Sequence, residues 1–346
     1  MSAPLQNVRQ FEQSGPRKRI MKLPRRKFLQ FAGAATVAPT FLRVAAAESY
    51  PSRPITMIVP FPAGGGTDVV ARILAERMKE SLGQRIIIEN VSGAGGSIGT
   101  GRVALAKPDG YTIQLGYTST HVLNGAFYSL PYDVLNDFEP ILPVTTTSAV
   151  LFARKAMPAN NLNELMAWLK GNPNRAAAGI FSPGGNLLFA MLQKEIGTQL
   201  TFVPYRGAAP ALQDLLAGQI DMYFDTPLPL PLVRAGSIKA YAITGDTRLM
   251  AAPDIPTFAE LGLPALSSSP WYGFFAPKGT PKHIIGKINA AAAGALADPA
   301  ARSRIADLGM DIVPRERQTP EALAALQKAD AEKWWPLIKA FGIKAE

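Results

Sequence analysis

The sequence predicts an α/β protein made of two doubly wound lobes joined by two chain crossings, a hinged clamshell. Three observations carry that prediction. Apolar runs of strand character alternate with segments of helical period from residue 53 onward. A second such series, starting after "ILPVTTTSAVLFARK", lies inside the first. The closing helices of 281–341 have no sheet of their own, and "WYGFFAPK" offers a strand that returns the chain to the first sheet.

The elements follow in order. "PITMIVPF" reads as a strand and 67–82 as a helix with Val70, Ile73, Leu74, Ala75 and Met78 along one face. "RIIIEN" reads as a buried strand, "SIGTGRVALAK" as a helix and "GYTIQLGY" as a strand, giving βαβαβ with a parallel sheet and right-handed crossovers. In the second series "LNELMAWLK" is helix, "AAAGIFS" strand, "NLLFAMLQKEIG" helix, "LTFVPY" strand and "APALQDLLAG" helix. "IDMYFD" and "SIKAYAIT" are strands, and the proline-rich "TPLPLPLVRAG" between them is a loop with one helical turn. "PWYGFFAPKGTP" is a strand leading into three helices. Crossings near 148–153 and 270–275 then separate lobe 1, residues 48–150 plus 273–346, from lobe 2, residues 151–272. Periodicity alone also allows one continuous doubly wound sheet.

Charge narrows the function classes once it is located. Of 36 Lys and Arg and 26 Asp and Glu, residues 1–47 hold nine bases and one acid, Glu12, so this stretch carries +8 and the rest only +2. A nearly neutral body removes the main support for nucleic-acid binding. No run approaches the ~18 apolar residues of a membrane span.

The basic stretch has the order of an export signal. "LPRRKFLQ" supplies Arg25 and Arg26, "FAGAATVAPTFL" a weakly apolar core, and "RVAAAES" an A-x-A cleavage point after Ala47. This resembles a twin-arginine signal, with Met21 as a candidate start; an amphipathic first helix is the alternative. Cysteine is absent, which fits an exported protein stable on packing alone and leaves no thiol for lipid attachment. A soluble periplasmic protein is expected.

Two glycine loops carry the chemistry. The first is Ala63-Gly64-Gly65-Gly66-Thr67-Asp68 after Phe61, and the second contains Gly93, Gly95 and Gly96 before Ser97. Each follows a strand and opens a helix, so two helix N-termini are expected to aim unpaired N–H groups at one anion. The dinucleotide fingerprint fails, with Val69 and Ile98 in place of the last glycine, and no P-loop occurs. No cofactor is expected. Neither a G-x-S-x-G elbow nor an H-E-x-x-H pair is present, and the histidines are His121 and His283. Thr118, Ser119 and His121, just past a strand end, are expected to line the cleft, whereas His283 reads as solvated surface.

The residues also match a family. "YPSRPITMIVPFPAGGGTDVVAR", "IENVSGAGGSIGT", "KPDGYTIQLG", "LPYDVLNDFEPI", "VPYRGAAPALQDLLAGQIDMYFD", "PDIPTFAELG" and "WYGFFAPKGTP" resemble the tripartite tricarboxylate transporter receptors, the Bug-type solute-binding proteins. The resemblance spans 50–346. It implies a type II periplasmic-binding-protein fold, the Venus flytrap, without catalysis. The implied ligand is a small organic acid: a mono-, di- or tricarboxylate, an aromatic acid or an amino acid. The implied partner is a membrane permease, and the receptor is expected to act as a monomer. In the family the two glycine loops hold one carboxylate, which carries over onto Phe61 to Asp68 and Gly93 to Ser97. Ser182 and Asn186 fall where the family's serine- and glycine-rich turn is shortened here. Tyr205 and Arg206 sit in "VPYRG", where lysine is common in place of the arginine. Arg206 is placed either to hold a distal carboxylate or as a solvated side chain at the cleft mouth. Asp225 is placed either to accept from an ammonium or hydroxyl or to cap the next turn; Phe181 and Trp271 are candidate walls. An exported enzyme acting on a small carboxylate is the alternative from another class.

Overall fold

The computed structural model describes residues 50–343. Arg25-Arg26, Met21 and the cleavage point after Ala47 lie outside them. The described chain begins with the expected unit: β1 (Ile55–Val59), α1 (Gly66–Leu82), β2 (Ile86–Asn90), α2 (Ser97–Ala104) and β3 (Thr112–Tyr117). β1 pairs in parallel with both β2 and β3. A π-helical turn, Ser119–Leu123, runs into the short α3 (Asn124–Phe127), then β4 (Phe138–Thr146). After β5 (Val150–Arg154) come α4 (Leu162–Gly171), β6 (Ala177–Ile180), α5 (Pro183–Ile196) and β7 (Thr201–Pro204). α6 (Ala208–Leu216), β8 (Met222–Asp225), α7 (Leu230–Arg234) and β9 (Ile238–Ile243) complete the second series. β10 (Trp271–Pro277), α8 (Lys282–Ala297), α9 (Pro299–Asp307), β11 (Asp311–Ile312) and α10 (Pro320–Phe341) follow.

Two sheets result. The first has six strands in the order β11-β4-β10-β3-β1-β2, and the second five in the order β7-β6-β8-β5-β9. β10 does return to the first sheet, antiparallel between β3 and β4. The segment that reads as one apolar stretch, 141–155, splits into β4 and β5, one in each sheet. β5 is antiparallel to both β8 and β9. The chain therefore passes between sheets twice, at 147–149 and across 244–270.

The helix boundaries follow from local chemistry. α1 stops at Gly83, whose φ of 66° only glycine takes cheaply and whose N–H bonds Lys79 O at 3.0 Å. Asn161 caps α4 by accepting from Glu164 N at 2.9 Å, and the Glu164 carboxylate accepts from Asn160 N at 2.8 Å. The apolar face of α1 is buried as predicted and packs with Ile285, Ile288 and Leu296 of α8 against one face of the first sheet. Each such side chain contributes about 1.5–3 kcal/mol. Ile58 belongs to a second core cluster, which includes Leu187 and Leu188 of α5 and Leu323 and Trp334 of α10.

One strand assignment is corrected. β2 is an edge strand, not a buried one, and Ile87 is 53% exposed. A short apolar run looks the same at an edge as in the middle of a sheet. Among the described residues no helix is long and apolar enough to cross a membrane.

Candidate functional site

The loop after β1 is organised by a carboxylate that bonds into the loop and does not line the cleft. Asp68 Oδ2 accepts from Gly64 N at 2.9 Å, both oxygens accept from Arg72 Nε at 3.0 Å, and Oδ1 accepts from Asn90 Nδ2 at 3.0 Å. The same Asn90 amide donates to Phe61 O at 3.0 Å. Burial alone would raise the Asp68 carboxyl, but the bonds from Arg72, Gly64 and Asn90 outweigh it and hold it below the usual carboxylate range. α1 starts at N-cap Gly65, which has no side chain to offer, and its first internal bond is Val69 N to Gly65 O. The amides of Gly66, Thr67 and Asp68 are thus left without helical acceptors at the positive end of the helix dipole.

The loop after β2 does something else. Gly93, Gly95 and Gly96 all have positive φ, but neither they nor Ser97 line the cleft. A Cβ on Gly95 would lie 2.8 Å from Tyr128 Oη and 2.9 Å from Pro183 Cδ, so this loop is packed against the start of α5. Asn124 fastens it from the π-turn side, its Nδ2 donating to Gly95 O at 3.1 Å and Ser97 Oγ at 2.9 Å.

Opposite the first loop stand the starts of α5 and α6. Ser182 caps α5 with its own hydroxyl, accepting from Gly185 N at 3.3 Å. α6 has an uncapped glycine start at Gly207, as α1 has at Gly65. Gly207 presses on the first loop, since a Cβ there would be 2.6 Å from Pro62 Cγ. Two uncapped helix N-termini, one from each sheet, therefore border one cleft of about 340 Å³.

Of the candidates named from the sequence, Phe61, Gly65, Thr67, Thr118, Ser119, Ser182 and Asp225 line that cleft. Ser119 is 1% exposed and its Oγ has no hydrogen-bond partner among the described residues, so a donor stands ready at the wall. Asp225 is 8% exposed; burial pushes its carboxyl up to about 7 against the lowering bonds from Thr226. Phe181 forms part of the wall, whereas Trp271 is wholly buried and donates Nε1–H to Asp330 at 2.7 Å.

The remaining candidates lie elsewhere. Ala63 and Gly64 are exposed on the outside of the first loop, and Asp68 points into it. His121 does not reach the cleft: it is wholly buried, stacked on Phe275 at 3.8 Å, with Nδ1 on Thr120 Oγ1 at 3.0 Å. Burial depresses its pKa to about 3, so the ring is neutral. Tyr205 donates its hydroxyl to Asp214 at 2.7 Å, and Arg206 is exposed outside the lining. Asn186 is also outside it, its N–H bonded to Ser182 O at 3.1 Å.

Thr226, which the sequence pairs with Asp225 at the same strand end, also lines the cleft, whereas sequence reasoning missed Tyr117, Tyr272, Ala208 and the serines 267–269, all in the lining. One signal was available: Gly207 before "AAPALQDLL" repeats the pattern of a glycine directly before a helix. Tyr117 and Tyr272 meet at 4.8 Å only because β10 returns beside β3, which no local pattern reveals. Among the described residues no cluster of three His, Asp or Glu is placed to hold a metal.

Comparison with known proteins follows this geometry. The family described as tripartite tricarboxylate transporter family receptor matches residues 70–343. The structure of the periplasmic binding protein BugD is 38% identical with a TM-score of 0.82, covering 86% of this chain and 100% of BugD. MatC from Rhodopseudomonas palustris, solved with bound malate, is 36% identical with a TM-score of 0.80 over 84% of this chain and 100% of its own. R. palustris Rpa4515 with adipate is 30% identical with a TM-score of 0.80 over 86% of this chain and 100% of its own. The fold is that of these periplasmic binding proteins, the two-lobed Venus flytrap.

Proposed function

The chain belongs to the tripartite tricarboxylate transporter receptor family, and from that premise we propose that it is a periplasmic receptor that captures a small organic acid and delivers it to a membrane permease. Residues 48–150 with 273–346 form one lobe and 151–272 the other, and they close around the acid. The observation that carries this reading is the pair of uncapped helix starts at Gly65 and Gly207 on opposite sides of one cleft. Each offers N–H donors and roughly half a positive charge, which suits an acid with a carboxylate at either end. Ser119 Oγ adds a buried donor. The bound malate and adipate of MatC and Rpa4515, dicarboxylates of different length, support the same ligand class. Export is supported by Arg25-Arg26 ahead of a weakly apolar core and an A-x-A point before Glu48.

A thermal-shift screen of carboxylic acids tests the reading. An acid at 100 times its dissociation constant stabilises the folded protein by about 2.7 kcal/mol, which raises the melting point by several degrees. A panel of mono-, di- and tricarboxylates without effect would overturn the receptor assignment. Conversion of an acid to product would make the protein an enzyme instead.

A further inference from the structure

Asp225 closes β8 at the cleft with only one of its oxygens engaged. Oδ1 accepts from the Thr226 N–H at 2.7 Å and lies 3.4 Å from the Thr226 hydroxyl. Oδ2 takes no hydrogen bond from the described residues, the neighbouring Tyr223 hydroxyl being itself without a partner within hydrogen-bond geometry, and the residue lines the cavity. The ion pairs among the described residues do not include it. The titratable groups facing it are phenols: Tyr223 from its own strand, Tyr117 from β3 and Tyr272 from β10. Burial above all holds the three phenols neutral at pH 7, and the Asp225 charge acts in the same direction on each. Two other acids line the cavity, Asp246 and Asp330, and so does a cation, Lys333 of α10, which lies over the Trp334 ring near Asp330 and makes no ion pair with Asp225.

A carboxylate with no ion-pair partner, at the wall of a cleft built to hold anions, is costly once a ligand excludes water unless its free oxygen receives a donor from that ligand. We infer that Asp225 is a specificity-determining residue, selecting acids that carry a hydrogen-bond donor, an ammonium or a hydroxyl, on the carbon chain beside the bound carboxylate. This rests on the receptor reading above. A plain diacid leaves Oδ2 buried and unpaired and adds a like charge, and sites of this kind reject the analogue lacking the donor by large factors.

The two donors separate by pH. Burial places the Asp225 carboxyl near 7, so its ionised fraction rises about tenfold between pH 6 and pH 8. An ammonium needs the ionised form, and its acid binds up to about tenfold more tightly at pH 8. A plain diacid shows the opposite trend. A hydroxyl donates to the carboxylate and accepts from the carboxylic acid, so its acid binds nearly equally at both.

The test is titration calorimetry of the purified protein with matched acids of four, five and six carbons: the plain diacid, its 2-hydroxy form and its 2-amino form. At the chain length that binds, a donor-bearing acid is expected to bind at least tenfold more tightly than the plain diacid at pH 8. In Asp225→Asn, whose Oδ1 still accepts from Thr226, that ratio is expected to fall below about threefold and the pH trends to flatten. A plain diacid that binds tightest in the parent, or a preference unchanged in Asp225→Asn, overturns the inference and leaves the receptor reading standing. Absence of binding at every length overturns both. The opposed pH trends are read on the unmutated protein, so a misfolded variant does not blunt the test.

Discussion

Gly64 N donates to Asp68 Oδ2 at 2.9 Å, so a side chain in the first turn of α1 reaches back to hold the loop that precedes it. That bond fixes the loop while the next three amides keep no acceptor, which is how a glycine-rich turn becomes a cradle without a charged side chain in it. Asp68→Asn keeps an acceptor for Gly64 but turns an amide N–H₂ toward the donors Arg72 and Asn90. The expected loss at pH 7 is about 1–3 kcal/mol. The sign with pH follows from the direction of the shift: the folded carboxyl titrates below its ordinary range. The stability it supplies is therefore present above about pH 4 and is lost as pH falls through the folded value. Calorimetric melting at pH 7 and pH 3 should show the variant well below the parent at the first and the gap narrowed at the second. A gap that does not narrow as pH falls would count against the bond as its origin.

The two glycine loops should respond differently to bulk. Gly65 has φ −80° and a Cβ there meets only Pro62 O at 3.6 Å, so Gly65→Val enters without backbone strain. As an N-cap change it costs about 1 kcal/mol of stability. Its side chain crowds the mouth of the α1 amides, and loss of two charge-assisted bonds weakens acid binding by about 100-fold. Gly95→Val forces φ 59° on a branched residue and drives it into Pro183 and Tyr128. It should lower the melting point of the unliganded protein and leave the cradle amides of α1 in place. Melting points without acid, measured beside affinities, separate the two; equal melting losses would place both loops in one structural role.

Much of this arrangement was legible in the chain and some was not, for physical reasons. Val70, Ile73, Leu74, Ala75 and Met78 disclose α1 because a helix buries one stripe at period 3.6. The return of "WYGFFAPK" is legible because three terminal helices need a sheet to cover. β2 at the edge is not, since Ile86 to Ile88 read alike wherever the strand lies. Nor is the role of Gly93 to Gly96: positive φ shows in the glycines, but whether the loop faces an anion or Pro183 depends on the other sheet. His121 misleads because a strand-end position does not say which way the next turn folds. Here the π-turn rolls it inward onto Phe275.

That inward turn has a pH consequence. His121 protonates near 3 in the folded chain and at 6.5 when unfolded, because burial disfavours the charged ring. A depressed folded pKa means that the unfolded chain takes up the extra proton between these values. Stability present above pH 6.5 is therefore lost as pH falls through that window, by up to about 1.4 kcal/mol per pH unit. His121→Phe keeps a ring against Phe275 and cannot protonate. Denaturant unfolding at pH 6.5, 5.5 and 4.5 should show the parent losing stability faster than the variant. Parallel curves would mean that the buried ring accepts its proton without unfolding.

The export reading makes its own demand. Arg25→Lys with Arg26→Lys keeps every charge of the leader and removes only the guanidinium pair ahead of the apolar core. The double variant is expected to accumulate as uncleaved precursor in the cytoplasm, read by cell fractionation and immunoblotting. Mature protein at parental yield in the periplasm would rule out the twin-arginine route.

Closure is most directly tested at Gly207. Its φ of 174° is ordinary extended backbone, so a side chain there brings no intrinsic strain. Its neighbour across the cleft is what forbids one: a Cβ would sit 2.6 Å from Pro62 Cγ and 2.7 Å from Pro62 Cδ. Pro62 belongs to the loop before α1 and Gly207 to the loop before α6, so Gly207→Val is relieved by separating the two helix starts rather than by unfolding either. Separation removes donors from one end of the acid, and the expected loss of affinity is at least tenfold. The unliganded melting point should stay near that of the parent, because Gly207 is buried at the seam between two loops and not within a hydrophobic core. Small-angle scattering with saturating acid should show the parent compacting and the variant remaining more open. A variant that compacts fully and binds as the parent does would mean that the Pro62–Gly207 contact does not set the closed spacing, and the cradle would then need donors from somewhere other than α6.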